Sequence, residues 1–185
     1  MELELKGLAE GIMTFIQEHR AWAAPMVFVL AFGESLAFVS LILPFWGLLV
    51  ALGALIGGNT GSLEFWTILV AAAVGAALGD WVSYWLGQHY HEQIARMWPI
   101  SNYPELLPRG RKFFDKWGPW AIVFGRFSGP LRASVPIVAG AVRMPSGIFQ
   151  LANWSSAFLW AGVLLLFGDG IHRASSYIWK LLGWS

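Results

Sequence analysis

Apolar side chains run along most of this chain in long blocks, and the charges that interrupt them fall at single positions. From Trp22 to Gly57 the one charge is Glu34, and from Phe65 to Gly87 it is Asp80. One membrane span needs about 20 apolar residues. Residues 65–87 therefore read as a transmembrane helix, with small side chains at Ala72, Gly75, Ala76 and Gly79 for close contact with a neighbour. The block at 22–57 is too long for one span and too short for two spans with a turn, and Pro44 stands within it. A short helix to about Gly33, followed by a re-entrant hairpin turning near Pro44-Phe45-Trp46-Gly47, accommodates both facts. Backbone that breaks at that depth has to be buried in protein or line a cavity.

Residues 119–143 repeat the theme with Arg126, Pro130, Arg132 and Pro136. Two interior prolines argue against an unbroken helix, so a second re-entrant hairpin is expected here. Residues 145–168 are uncharged and form another span carrying Asn153, Trp154 and Trp160, and residues 171–185 make a short tail helix. Ahead of all this, Leu5, Leu8, Ile12, Phe15 and Ile16 recur at near-helical spacing within residues 1–20. That pattern suits an amphipathic helix on the membrane interface, or a solvated helix packed on the bundle.

Composition agrees with the pattern. The chain is 57% hydrophobic and 12% charged, well under the roughly 25% charged residues of a soluble domain. Its 185 residues suffice for one membrane domain. A net charge of +1 gives no face for nucleic acid, and the absence of cysteine excludes disulfides, thiol catalysis and thiolate metal sites. The start is acidic and mixed, unlike a cleaved signal peptide, so insertion by uncleaved segments is expected. Segment 88–118 holds Arg96, Arg109, Arg111, Lys112 and Lys116 against three acids, which places it in the cytoplasm by the positive-inside rule.

An internal repeat follows from the spacing. Phe32-Gly33-Glu34 precedes Pro44 by the same interval at which Phe124-Gly125-Arg126 precedes Pro136, with opposite charge. Each is followed by a span bearing Gly-Asp, at Gly79-Asp80 and Gly168-Asp169. With 88–118 cytoplasmic, the two hairpins open to opposite sides. Inverted repeats whose broken helices meet at the midplane are a transporter architecture. The expected fold is thus all-α: a polytopic bundle with two oppositely oriented re-entrant hairpins and an amphipathic N-terminal helix.

Over residues 25–165 the chain resembles the DedA family of bacterial inner-membrane proteins, which share a VTT domain with eukaryotic lipid scramblases. The resemblance rests on Glu34 with Pro44, Gly79-Asp80 followed by Tyr84 and Gly87, Lys116-Trp-Gly118, Arg126-Phe127 followed by Arg132, Val135-Pro136, Ala139-Gly140, Arg143-Met144 and Asn153. Two departures stand out. Trp46 occupies a place where relatives carry a small or acidic residue, and the usual Pro-Gly between the arginines is exchanged to Gly129-Pro130. The resemblance implies translocation of a lipid phosphate such as undecaprenyl phosphate, or of phospholipid, across the inner membrane, dependent on the proton motive force. Its partners would be anionic or polyprenyl lipids and protons, without a cofactor, and a homo-oligomer is one assembly the chain allows.

On that reading Arg126 and Arg132 bind phosphate, since guanidinium groups match phosphate oxygens two at a time. The plainer alternative is that they pair with Glu34 and Asp80 to make burial tolerable. A charge at the bilayer centre costs roughly 2.5–3.5 kcal/mol unless it is paired or hydrated. Glu34 and Asp80 are the proton-coupling candidates, because a desolvated carboxyl favours its neutral form and a nearby arginine its charged form. Asp80 serves equally well as a structural cap. Pro44, Trp46, Tyr84, Pro130, Pro136 and Asn153 are expected to line the cavity or form hairpin tips. His89 and His91 are two apart, which does not put both rings on one helix face, and no metal site is expected. An enzyme is disfavoured because lipid phosphatase and phosphatidyltransferase patterns are missing. A cation/proton antiporter and a passive phospholipid scramblase remain the alternatives.

Overall fold

The computed structural model describes residues 22–36, 47, 50–51, 62–91, 93, 106–128, 132 and 134–181. The expected amphipathic helix at 1–20, and the hairpin-tip residues Pro44, Trp46 and Pro130, lie outside them. The described residues form helices and connecting turns: α1 (Ala23–Ser35), α2 (Leu63–His89), α3 (Leu106–Trp117), α4 (Pro119–Phe127), α5 (Ser134–Ala141) and α6 (Ser146–Leu181).

Helix α2 opens on a Ser62 cap, whose Oγ accepts from the Phe65 N–H at 3.2 Å. Its 27 residues rise about 40 Å at 1.5 Å each, more than the hydrocarbon thickness. Among the described residues, Leu63–His89 and Ser146–Gly168 are the two stretches long and apolar enough to cross a membrane. Between α3 and α4, Gly118 adopts φ +52°, where a Cβ would be strained, and Pro119 starts the next helix.

One of the expected elements takes a different form. Helix α6 runs unbroken from Ser146 to Leu181, so residues 171 onward extend the span expected to end at 168 and form no separate tail helix up to Leu181. The 145–168 segment supplies only its first part. Residues 119–143 contain two short helices, and the break falls between Phe127 and Ser134; Pro136 sits in the first turn of α5, where a missing N–H costs no helical bond. Basic segment 88–118 contains helix α3.

Packing fixes the directions. Cβ atoms added at Gly75 and Gly79 would lie 2.4 Å from the Phe28 carbonyl and 2.5 Å from that of Phe32, and Ser83 Oγ reaches Ser35 O. Successive contacts rise together, so α1 runs parallel to α2 at backbone contact. Helix α6 runs antiparallel to α2, with Asn153 bonded to the Ala77 carbonyl and Gly162 facing Leu69. Helix α5 covers the last part of α2, where a Cβ at Gly140 would meet Tyr84 O at 2.0 Å and one at Gly87 would meet Ile137 O at 2.1 Å.

Two apolar clusters result. One, rich in alanine, joins α1, the first part of α2 and the middle of α6 through Val27, Ala31, Ile68, Ala72, Ala76, Ala161 and Leu165. The other gathers Tyr84, Phe114, Ile122, Met144 and Phe149 near the end of α2. Outward faces carry Leu63, Trp66, Val70, Leu151, Leu159 and Phe167, all exposed. Apolar residues thus face out along helices of spanning length, as in a protein surrounded by lipid.

Candidate functional site: a buried layer of ion pairs

Along α2 the apolar clusters end at Ala77 and resume at Tyr84, and along α6 they are separated by Asn153 and Ser156. The interval is filled by polar side chains. Glu34, Ser35, Asp80, Ser83, Arg126, Arg132, Asn153 and Ser156 are all buried, and the four charged residues are between 3% and 6% exposed. The positions follow from helix periodicity. Residues 80 and 83 share one face of α2 and residues 153, 156 and 160 one face of α6, while Arg126 comes from the end of α4 and Arg132 from the connection to α5.

Two ion pairs hold the layer together. Arg126 Nη2 donates to Asp80 Oδ2 and to Asn153 Oδ1 at 2.6 Å, and Arg126 Nε donates to Ser156 Oγ at 3.0 Å. Asn153 Nδ2 in turn donates to the Ala77 carbonyl at 2.9 Å, which ties α4, α6 and α2 at one point. Arg132 Nη1 donates to Glu34 Oε1 at 2.8 Å and Nη2 to Ser35 Oγ at 2.9 Å. The Arg132 guanidinium also lies 4.0 Å from the Trp160 ring centroid, a cation–π contact. Ser83 Oγ lies within donor reach of Gly79 O and Ser35 O at 3.1 and 3.2 Å, which ties α2 to the end of α1 beside the two pairs.

Each pair uses one hand only. A guanidinium and a carboxylate commonly join through two parallel bonds. Here Glu34 Oε2, Asp80 Oδ1, Arg126 Nη1 and Arg132 Nε are buried and make no hydrogen bond among the described residues. An unmet buried donor or acceptor costs about 1–3 kcal/mol, more for charged groups. The arrangement leaves two donors and two acceptors at the centre of the bundle, a set able to take a phosphate on the cationic side and a proton on the carboxylate side.

The sequence-chosen residues separate into groups. Arg126, Arg132, Glu34, Asp80 and Asn153 come together in this layer. Tyr84 lies in the neighbouring apolar cluster, where its OH donates to Met144 O at 2.6 Å and its ring stacks on Phe149 at 4.1 Å. Pro136 is buried in α5. Ser35, Ser83 and Trp160 join the layer without a charge to mark them in the sequence, although Ser35 adjoins Glu34, and residues 83 and 160 repeat the helical spacing of Asp80 and Asn153. His89 and His91 bond to the Trp85 and Gln88 carbonyls of α2, and no cluster of metal-ligating side chains occurs among the described residues.

A family profile described as the VTT domain matches residues 43–170. Inner membrane protein YabI of Escherichia coli K12 is 37% identical over 146 residues, covering 79% of this chain and 57% of the relative. An uncharacterized membrane protein of Buchnera aphidicola is 32% identical over 152 residues, 82% of this chain and 59% of that one. Inner membrane protein YghB of E. coli K12 is 31% identical over 147 residues, 77% and 65% respectively. The chain thus spans less than two thirds of the length of these curated relatives. No solved structure matches significantly.

Proposed function

The chain belongs to the VTT-domain (DedA) family of membrane proteins, and from that membership and the buried layer we propose that it is a lipid transporter of the inner membrane. Its substrate is a lipid phosphate, such as undecaprenyl phosphate or a phospholipid, moved with the help of the proton motive force and without enzymatic chemistry. The observation that carries this reading is the half-used pairing: Arg126 Nη1 and Arg132 Nε remain as donors beside Asp80 Oδ1 and Glu34 Oε2. A purely structural pair gains from closing both bonds. A pair that must exchange partners gains from leaving one open, because an arriving phosphate engages the free donor before the carboxylate leaves. The displaced carboxylate then takes up a proton.

The architecture supports the same reading. Helix α1 runs parallel to α2 and ends at Ser35 beside residues 79–83, so the two helices start on the same side. Helix α4 starts near the opposite end, where Pro119 shares a recess with Val142, Arg143 and Met144, and ends at Arg126 beside Asp80. These opposed directions of approach support the reading of two re-entrant hairpins that enter from opposite sides. The hydrocarbon tail of the lipid stays outside, against the apolar faces of α2 and α6, while the head group passes through the layer.

The test is movement of labelled undecaprenyl phosphate and of ordinary phospholipids in proteoliposomes, with and without a proton gradient. Gradient-sensitive movement of the prenyl phosphate, lost in Arg126→Ala/Arg132→Ala, is expected. Equal movement of all lipids regardless of gradient makes the protein a scramblase. Cation-coupled proton movement without lipid movement makes it an antiporter and overturns the proposal.

A further inference from the structure

Where α2 and α5 finish, a recess bearing charged side chains lies apart from the buried layer. Its volume is about 630 Å³, within the range of small-ligand sites. His91, Arg111, Lys112 and Arg143 line it together with one carboxylate, Asp115. Among the described lining residues, cationic side chains outnumber the acid three to one before the histidine is counted. Helix α3, which supplies Arg111 and Lys112, exposes Phe113 and Trp117 beside them. A basic helix with exposed aromatic rings is suited to the depth of lipid head groups.

Arg143 is the informative residue. The turn after α5 has the hydrogen bonds of a Schellman motif: the Met144 N–H donates to Ala139 O at 3.0 Å and the Arg143 N–H to Gly140 O at 2.9 Å. Arg143 holds the left-handed position of this motif, at φ 60°, where glycine is favoured and a side chain is strained. Its guanidinium is held in place. Nη2 lies 3.2 Å from His91 Nε2, while His91 Nδ1 faces Gln88 O at 3.3 Å, so the ring donates through Nδ1 and accepts through Nε2. Arg111 Nη2 approaches the same turn, 3.5 Å from Val142 O. A costly arginine, steered by a histidine and joined by a second arginine and a lysine, is an arrangement for an anion rather than for folding.

We infer that this recess is a second anion site, which binds a phosphate group at the membrane surface through Arg111, Lys112 and Arg143. The ligand chemistry is a phosphate ester of a lipid head group or the free ion. The site is a binding equilibrium at the protein surface and stands whether or not the buried layer moves lipid.

The experiment titrates the full chain in uncharged detergent with dihexanoyl phosphatidic acid in one arm and inorganic phosphate in the other, using calorimetry. Three forms are compared: the unaltered chain, Arg126→Ala/Arg132→Ala, and Lys112→Gln/Arg143→Gly. Glycine suits the turn, so the last form keeps its fold, and Arg111→Gln/Lys112→Gln provides a second variant that leaves the turn untouched. The expected result is binding that survives Arg126→Ala/Arg132→Ala and weakens at least tenfold in both recess variants. Tighter binding of the lipid than of phosphate identifies the head group as the source, and equal binding identifies the free ion; both uphold the phosphate site. Binding in neither arm, or binding unchanged in both recess variants, overturns it.

Discussion

Arg126 shows most plainly how one residue joins stability to function. It is 3% exposed, and its partners Asp80, Asn153 and Ser156 come from two helices. Arg126→Ala leaves a buried carboxylate uncompensated, a change that costs about 3–5 kcal/mol; thermal unfolding in detergent should show the loss. Arg126→Lys keeps the charge but cannot reach Asn153 and Ser156 through a planar fork, so it is expected to recover part of the stability and little transport. Glu34→Gln makes a sharper probe of proton coupling. The amide oxygen still accepts from Arg132 Nη1, so the fold should persist while lipid movement loses its dependence on the proton gradient. Undiminished gradient dependence in Glu34→Gln would remove Glu34 from the proton path. The two arginines and two carboxylates were legible in the sequence because each interrupts an apolar run. Their pairing was not, since either arginine is compatible with either acid until α1 and α4 are placed on α2. Trp160 was hidden for another reason: tryptophan commonly anchors membrane interfaces, and only the face it shares with Asn153 marks it out.

At the scale of elements, the close contacts are made by glycine, and they predict a graded response. Gly140→Ala and Gly87→Ala each drive a Cβ to about 2 Å from backbone carbonyls, of Tyr84 and Ile137 respectively. Backbone cannot yield as a side chain does, and overpacking of this kind costs typically 1–3 kcal/mol or more. Gly147→Ala, in the first turn of α6 with nothing within 4 Å, should be neutral or stabilising by about 0.5–1 kcal/mol. Unfolding midpoints of the three variants check the order, and equal effects would mean that α5 does not sit against α2 as described. The small-residue stripe on 65–87 was readable beforehand because small side chains at helical spacing have few other uses. The continuation of α6 through Gly168-Asp169-Gly170 was not, since glycine and aspartate are the residues that commonly end or cap helices. The bond from the Tyr84 hydroxyl to the Met144 carbonyl, in the turn after α5, had no signal in the sequence because it joins residues far apart along the chain.

For the whole molecule, the account depends on a polar layer held between two apolar clusters and approached from opposite ends. The chain has no cysteine, so single reporters can be introduced without background. Leu63→Cys and Trp22→Cys should react with an impermeant thiol reagent from one side of the membrane and Lys112→Cys from the other, the cytoplasmic side by charge bias. Trp22 and Leu63 reacting from opposite sides would contradict the parallel course of α1 and α2. The central claim is that the buried charges serve a ligand and not merely each other. The most direct test is prenyl phosphate movement in proteoliposomes by Arg126→Met/Asp80→Leu, which replaces an ion pair with apolar side chains, an exchange that is often neutral or stabilising by about 1–4 kcal/mol. The account predicts a folded protein that no longer moves the lipid. A folded variant that transports at the original rate would reduce the pair to a structural clasp and contradict the account.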